Sequence, residues 1–175
     1  SVLRQHRCTG GYNDGPYIDF DRASDQFLDG GQRTFNIATN GGFTAVLFMS
    51  FEGTPASYER VLCFGNNAGG DTMLFYRDQT SGRLHFTVFS DGALTNDFTS
   101  SAEVITQGQW AVFAVRYNAT SGVIEMLKDH TVVATASSPA ISDRTLTNTY
   151  IAKSHWADPY LSARIAGVHV VDRAL

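Results

Sequence analysis

The chain of 175 residues carries 13 Lys and Arg against 17 Asp and Glu, a formal charge of −4, with 17% charged residues, 12% aromatics, 16 Gly and 4 Pro. That is the size of one domain with its own core, and its charged share lies below the roughly 25% of an average soluble protein. The balance excludes a general phosphate-backbone binder, which needs a basic surface, and a disordered chain, which does not carry this much Phe, Val and Ile. No apolar run reaches the roughly 20 residues that cross a bilayer, so neither nucleic acid nor membrane insertion is expected.

Residues 1–15 read as an arm packed on a domain that spans 16–175. They hold no apolar signal-peptide region, and no Met begins the chain. The expectation is a mature product, or a domain of a larger polypeptide or assembly, so the absence of a targeting segment here says little about localisation. After the arm, period-2 alternation dominates. The run Phe43 to Phe51 is apolar on both faces and belongs at the centre of a sheet. A strand from Asp71 to Arg77 and a second from Arg83 to Val88 form a hairpin through Asp78-Gln79-Thr80-Ser81-Gly82, with Leu84, Phe86 and Val88 inward. A second hairpin joins Gln109–Tyr117 to Val123–Leu127. Shorter strands follow at 131–135 and 148–154, and a strand over 162–172 closes the chain. No window of a dozen residues shows a 3.6 period. Many short strands between Gly-bearing turns define an all-β, antiparallel two-sheet sandwich or jelly roll.

Several stretches then resemble one family. Gly108-Gln109-Trp110-Ala111-Val112-Phe113-Ala114-Val115-Arg116-Tyr117 resembles the G-x-W strand of laminin-G-like, concanavalin A-like jelly rolls. Gly122 to Asp129 resembles the strand that follows it, with His130 where a Gly is usual. Tyr150-Ile151-Ala152-Lys153-Ser154 resembles a hydrophobic-Ile-Gly-x-Ser strand, and Ile165 to Leu175 resembles the family's closing strand with its Asp-Arg-Ala-Leu. Tyr17-Ile18-Asp19-Phe20 and Phe43-Thr44 fit the opening strands. The resemblance covers most of the chain in order and implies the laminin-G/concanavalin A-like sandwich. Ala166 and Gly167 stand where the family often has acidic residues, which removes support for a calcium site there. Trp110 reads as an aromatic anchoring the two sheets.

The same jelly roll carries glucanases, so catalysis has to be tested. Retaining glycosidases place two carboxylates about 5–5.5 Å apart, which on this fold appears as alternating acids on one strand. The chain has only four Glu, at 52, 59, 103 and 125, and none has an Asp two residues on. Polysaccharide lyases of this fold use Arg, Gln, His and Tyr on the concave strands. Arg116, Arg77, His85 and Tyr76 match by type but form no motif, and read as ordinary polar residues. There is no G-x-S-x-G, and Cys63 has no base partner in sequence. The five His show no ligand spacing. Asp19-x-Asp21 resembles the start of a calcium loop, but Ser24 and Gly30 stand where an EF-hand needs Gly and Glu. No cofactor is expected, with calcium at Asp19 and Asp21 the one candidate.

Sugar binding needs an aromatic platform and a few hydrogen-bonding side chains. The loop Ser154-His155-Trp156-Ala157-Asp158-Pro159-Tyr160 supplies both. In it Trp156 and Tyr160 can stack, and His155 and Asp158 can take hydroxyls; alternatively Trp156 folds back to cap the sandwich. The loops holding Tyr58 and Asn66 are further rim candidates. Cys8 and Cys63 fit one disulfide or two free thiols. Asn118-Ala119-Thr120 is a sequon in a turn. The reading reached is a non-catalytic extracellular or cell-surface binding or adhesion module for a glycan or an extracellular protein. The alternatives are an interaction subunit of a larger assembly without a small ligand and, third, a carbohydrate-active enzyme.

Overall fold

The computed structural model describes residues 16–67 and 70–175, together with the backbone of residues 4–7. Among the described residues fifteen strands follow one another: β1 (Arg4–Arg7), β2 (Pro16–Phe20), β3 (Leu28–Asp29), β4 (Arg33–Phe35), β5 (Gly42–Phe51), β6 (Arg60–Gly65), β7 (Thr72–Arg77) and β8 (Leu84–Ser90). Then come β9 (Ala93–Thr99), β10 (Ala111–Asn118), β11 (Val123–Lys128), β12 (Thr131–Ser137), β13 (Arg144–Leu146), β14 (Asn148–Ile151) and β15 (Ala163–Val171). A 3-10 turn at Arg22–Ser24 is the only helical element among the described residues.

Two antiparallel sheets face each other. One has seven strands in the order β1-β2-β15-β5-β10-β11-β12, the other six in the order β3-β14-β6-β7-β8-β9. β5 is central, flanked by β15 and β10, as its two-sided apolar character requires. Alternation sends Phe43, Leu47, Met49, Phe113, Val115 and Tyr117 inward from the first sheet. From the second sheet come Phe64, Met73, Phe75, Leu84, Phe86 and Val88. Each large side chain so buried contributes on the order of 1.5–3 kcal/mol relative to exposure. Phe43 and Phe86 stack across the gap at 6.3 Å.

Trp110 departs from its expected place. Ala111 faces the core, so period 2 puts Trp110 on the opposite side, where it packs half-buried against Phe48 at 5.0 Å and Tyr17 at 5.7 Å. It braces the outer face of the seven-stranded sheet and does not join the sheets. Two positions where the family has Gly explain themselves in the backbone. Ala152 has φ 68 and His130 has φ 69, both in the left-handed region that Gly occupies without cost. The strand expected over 148–154 therefore stops at Ile151. The edge strand β9 escaped sequence reading because its Thr, Asn and Asp carry no apolar alternation.

One end of the sandwich is fastened by a buried charge network. Glu59 is fully buried and meets the guanidinium groups of Arg77, at 3.1 Å, and of Arg22. Arg77 also donates to Gln107 Oε1 at 2.8 Å, and its guanidinium lies 4.6 Å over the Phe51 ring. Arg77 is thus a core residue. Burial lowers its pKa and the Glu59 carboxylate opposes that.

Candidate functional site

The outward face of the six-stranded sheet carries a groove of about 640 Å³, within the size range of small-ligand sites. Its floor follows from the alternation that builds the core. Because Leu84, Phe86 and Val88 point inward, His85, Thr87 and Phe89 point outward. Because Met73 and Phe75 point inward, Leu74 and Tyr76 point outward. β6 adds Arg60, and β9 adds Asp97. The loop from Ser154 to Tyr160, between β14 and β15, folds over one side and brings Trp156 and Asp158. The β8–β9 hairpin brings Gly92 and Leu94, and Tyr58 and Asp78 stand at the rim.

The floor is a layered stack. The Arg60 guanidinium lies 3.8 Å above the Tyr76 ring and 5.2 Å from that of Tyr58. The Tyr76 ring lies parallel to His85, 4.6 Å between centroids. Arg60 Nε donates to Asp158 Oδ2 at 3.0 Å, and Ser154 Oγ donates to the same oxygen at 2.8 Å. The Trp156 amide donates to Ser154 Oγ at 3.0 Å, and the indole rests 5.7 Å from Phe89. These bonds hold the loop against the sheet, so Trp156 is placed without a strand of its own. His85 is held from both sides. Nε2 contacts Asp97 Oδ1, and Nδ1 is 3.0 Å from Thr99 Oγ1 and 3.5 Å from Asp78 Oδ1. The Tyr76 hydroxyl and Thr87 Oγ1 are 3.1 Å apart. Burial is the main cause raising the Tyr76 phenol's pKa, which keeps it protonated.

Of the residues expected from the sequence to bind a ligand, Tyr58, Trp156 and Asp158 meet in this groove, and His155, Tyr160 and Asn66 do not. His155 turns behind the loop onto Tyr150, 4.9 Å away, where burial, and then Lys153, lower its pKa. The Tyr160 ring leans on Phe27 at 6.2 Å, and its carbonyl accepts from Arg22 Nε. The Asn66 side chain donates to the Thr145 carbonyl and accepts from the Thr147 amide, tying two loops together. Of the four residues matched by type, Tyr76 and His85 lie in the groove. Arg77 is in the core, and Arg116 is on the other sheet, bonded to Glu125 at 2.5 Å. Arg60, Asp78 and Asp97 were missed. Nothing in the sequence distinguishes Arg60, but the inward alternation of β8 already placed His85 and Thr87 on one face.

The Asp21 carboxylate caps the 3-10 turn, accepting from the Ala23 amide and Ser24 Oγ, and Asp19 sits in β2 opposite Arg164. Among the described residues no group of three His, Cys, Asp or Glu side chains is arranged to hold a metal. Cys63 is a buried free thiol, its pKa pushed up to about 12, with burial the largest cause. Cys8 lies outside the described residues. Asn118 is exposed at the end of β10, its Oδ1 accepting from the amides of Thr120 and Ser121.

A sandwich of two facing antiparallel sheets is the jelly-roll architecture found among lectin domains. The family model described as the concanavalin A-like lectin/glucanases superfamily, of the laminin G type, matches residues 22–175, and the chain belongs to that family. No curated protein sequence matches it. Among solved structures it is similar to the CBM40 of the Ruminococcus gnavus IT-sialidase, bound to α2,3-sialyllactose. The TM-score is 0.65 at 11% identity, over 85% of this chain and 93% of that one. It is similar to the carbohydrate-binding module CBM66 from Bacillus subtilis, with TM-score 0.53 at 11% identity over 97% and 94% of the two chains. The native heptameric SAP-like pentraxin from Limulus polyphemus matches with TM-score 0.60 at 12% identity, over 85% of this chain and 70% of that one. The chain spans 26% of the Streptococcus pneumoniae NanB sialidase that it also resembles. At these identities the likeness is one of fold.

Proposed function

We propose that the protein is a non-catalytic, lectin-like module that binds glycan in the groove on its six-stranded sheet, and that it works outside the cell. The observation that carries this reading is the groove itself. It has an indole and a phenol ring at its sides, a polar floor of Thr87, His85 and Asp97, and a size suited to one or a few sugar rings. Aromatic faces take sugar C–H faces, while fixed carboxylates and hydroxyls take sugar hydroxyls. The carbohydrate-binding modules among the structural neighbours support it by fold alone. The non-catalytic part rests on the engagement of the groove's acids. Asp158 is paired with Arg60, and Asp97 and Asp78 both face His85, so none of the three stands as a free acid or nucleophile. The test is a glycan array followed by calorimetry on wild type and Trp156→Ala. Saturable binding that Trp156→Ala weakens supports the reading, and no sugar bound at millimolar concentration sinks it. Release of reducing ends from a polysaccharide panel would overturn the non-catalytic part.

A further inference from the structure

Resting on that reading of the groove, we infer that its ligand class is neutral glycan, and that acidic sugars, sialylated or uronic, are disfavoured. The argument is one of charge and of which groups remain free. Arg60 is the only Lys or Arg among the described residues that line the groove. Its guanidinium is committed at one edge and one face. One edge is bonded to Asp158, one face rests on Tyr76, and Nη1 is buried without a partner. A ligand entering from solvent therefore does not reach Nη1.

Against that one cation stand three carboxylates: Asp78, Asp97 and Asp158. With His85 neutral the lining carries two net negative charges, and with His85 protonated it still carries one. Asp97 is half exposed at its side chain. A sugar hydroxyl can donate to it in a charge-assisted bond, whereas a sugar carboxylate would bring one acceptor charge against another. Discrimination then comes from the repulsive element as much as from the attractive contacts. The other polar residues of the lining, Thr87 on the floor and Gln79 in the β7–β8 loop, are neutral and suited to hydroxyls.

The experiment compares matched pairs by calorimetry. Lactose is set against α2,3-sialyllactose, and an array of neutral oligosaccharides against the same chains ending in a sialic or uronic acid. The neutral member of each bound pair is expected to bind at least tenfold more tightly at low salt. Raised salt should shrink that gap, because exposed charges are screened over about 8 Å at physiological ionic strength. Asp97→Asn, at a half-exposed side chain, should narrow the gap by raising affinity for the acidic member. Asp158→Asn, which releases the Arg60 guanidinium, should narrow it further, with a thermal melt confirming that each variant folds. Equal or tighter binding of the acidic members overturns the inference and leaves the glycan reading standing. A gap indifferent to both salt and Asp97→Asn overturns the charge argument. Binding of neither class overturns the glycan reading and this inference with it.

Discussion

The imidazole of His85 lies flat against the phenol of Tyr76, with 12° between the planes, and the Arg60 guanidinium covers the other side of that ring. These residues come from β8, β7 and β6, three adjacent strands. A stack of three planar groups fixes the groove floor sideways, while Asp158, Asp97 and Thr99 fix its edges. The floor is therefore preformed, and ligand binding need not order it first.

Trp156→Ala removes the largest aromatic wall and the packing on Phe89. We expect at least a tenfold loss of sugar affinity with a stability loss of about 1–3 kcal/mol, since the side chain is only half-buried. Trp156→Phe should restore much of the affinity. Calorimetry and chemical denaturation read the two effects separately.

Arg77→Ala leaves the buried Glu59 carboxylate with Arg22 as its one remaining ion-pair partner, beside the long amide bonds from Ala56 and Ser162. Breaking a buried pair from one side costs about 3–5 kcal/mol, and urea denaturation should show it. If Arg77→Ala is as stable as wild type, the network does not fasten this end of the fold.

His130→Gly relieves an exposed side chain held at φ 69. Left-handed backbone costs a non-Gly residue about 1–2 kcal/mol, and the added freedom of Gly in the unfolded chain returns part of it. A net gain of up to about 1 kcal/mol would raise Tm by about 2–4 °C, measurable by calorimetry.

Cys63, with its pKa near 12, should be inert to iodoacetamide at pH 8 in the folded protein, since its thiolate fraction is on the order of one part in ten thousand. It should react fully in denaturant. Site-resolved mass spectrometry separates it from Cys8, and rapid alkylation of Cys63 in the native state would contradict its burial.

Acid should destabilise the fold in two stages. Burial holds His155 below its usual 6.5 in the folded state, so the unfolded chain takes up that proton first. Its contribution is full above 6.5 and is lost as the pH falls from there through the folded value. Hydrogen bonds hold Asp143 and Asp172 below 3.8: from the Thr39 hydroxyl to Asp143, and from the Asn36 amide to Asp172. Their contribution is full above 3.8 and fades below it. Melting curves across pH should show both stages, and His155→Phe should remove only the first.

The sequence by itself determined the sandwich. Alternating apolar residues and Gly-bearing turns leave a chain of this length few other ways to bury its Phe and Val, and the family stretches keep their order from Tyr17 to Leu175. It also determined that Trp156 and Asp158 share a loop and that His85 points away from the core. The tertiary structure alone decided what these residues meet. Arg60 and Asp158 are 98 residues apart in sequence, and pair only because β14 lies beside β6 and its following loop turns back over the sheet. Asp97 reaches His85 from an edge strand with no apolar signature. Trp110 went to the outer face and Arg77 to the core for the same reason. Alternation settles which neighbours share a face, but the identity of the face depends on the register between strands, and that is fixed by pairing across the whole sheet.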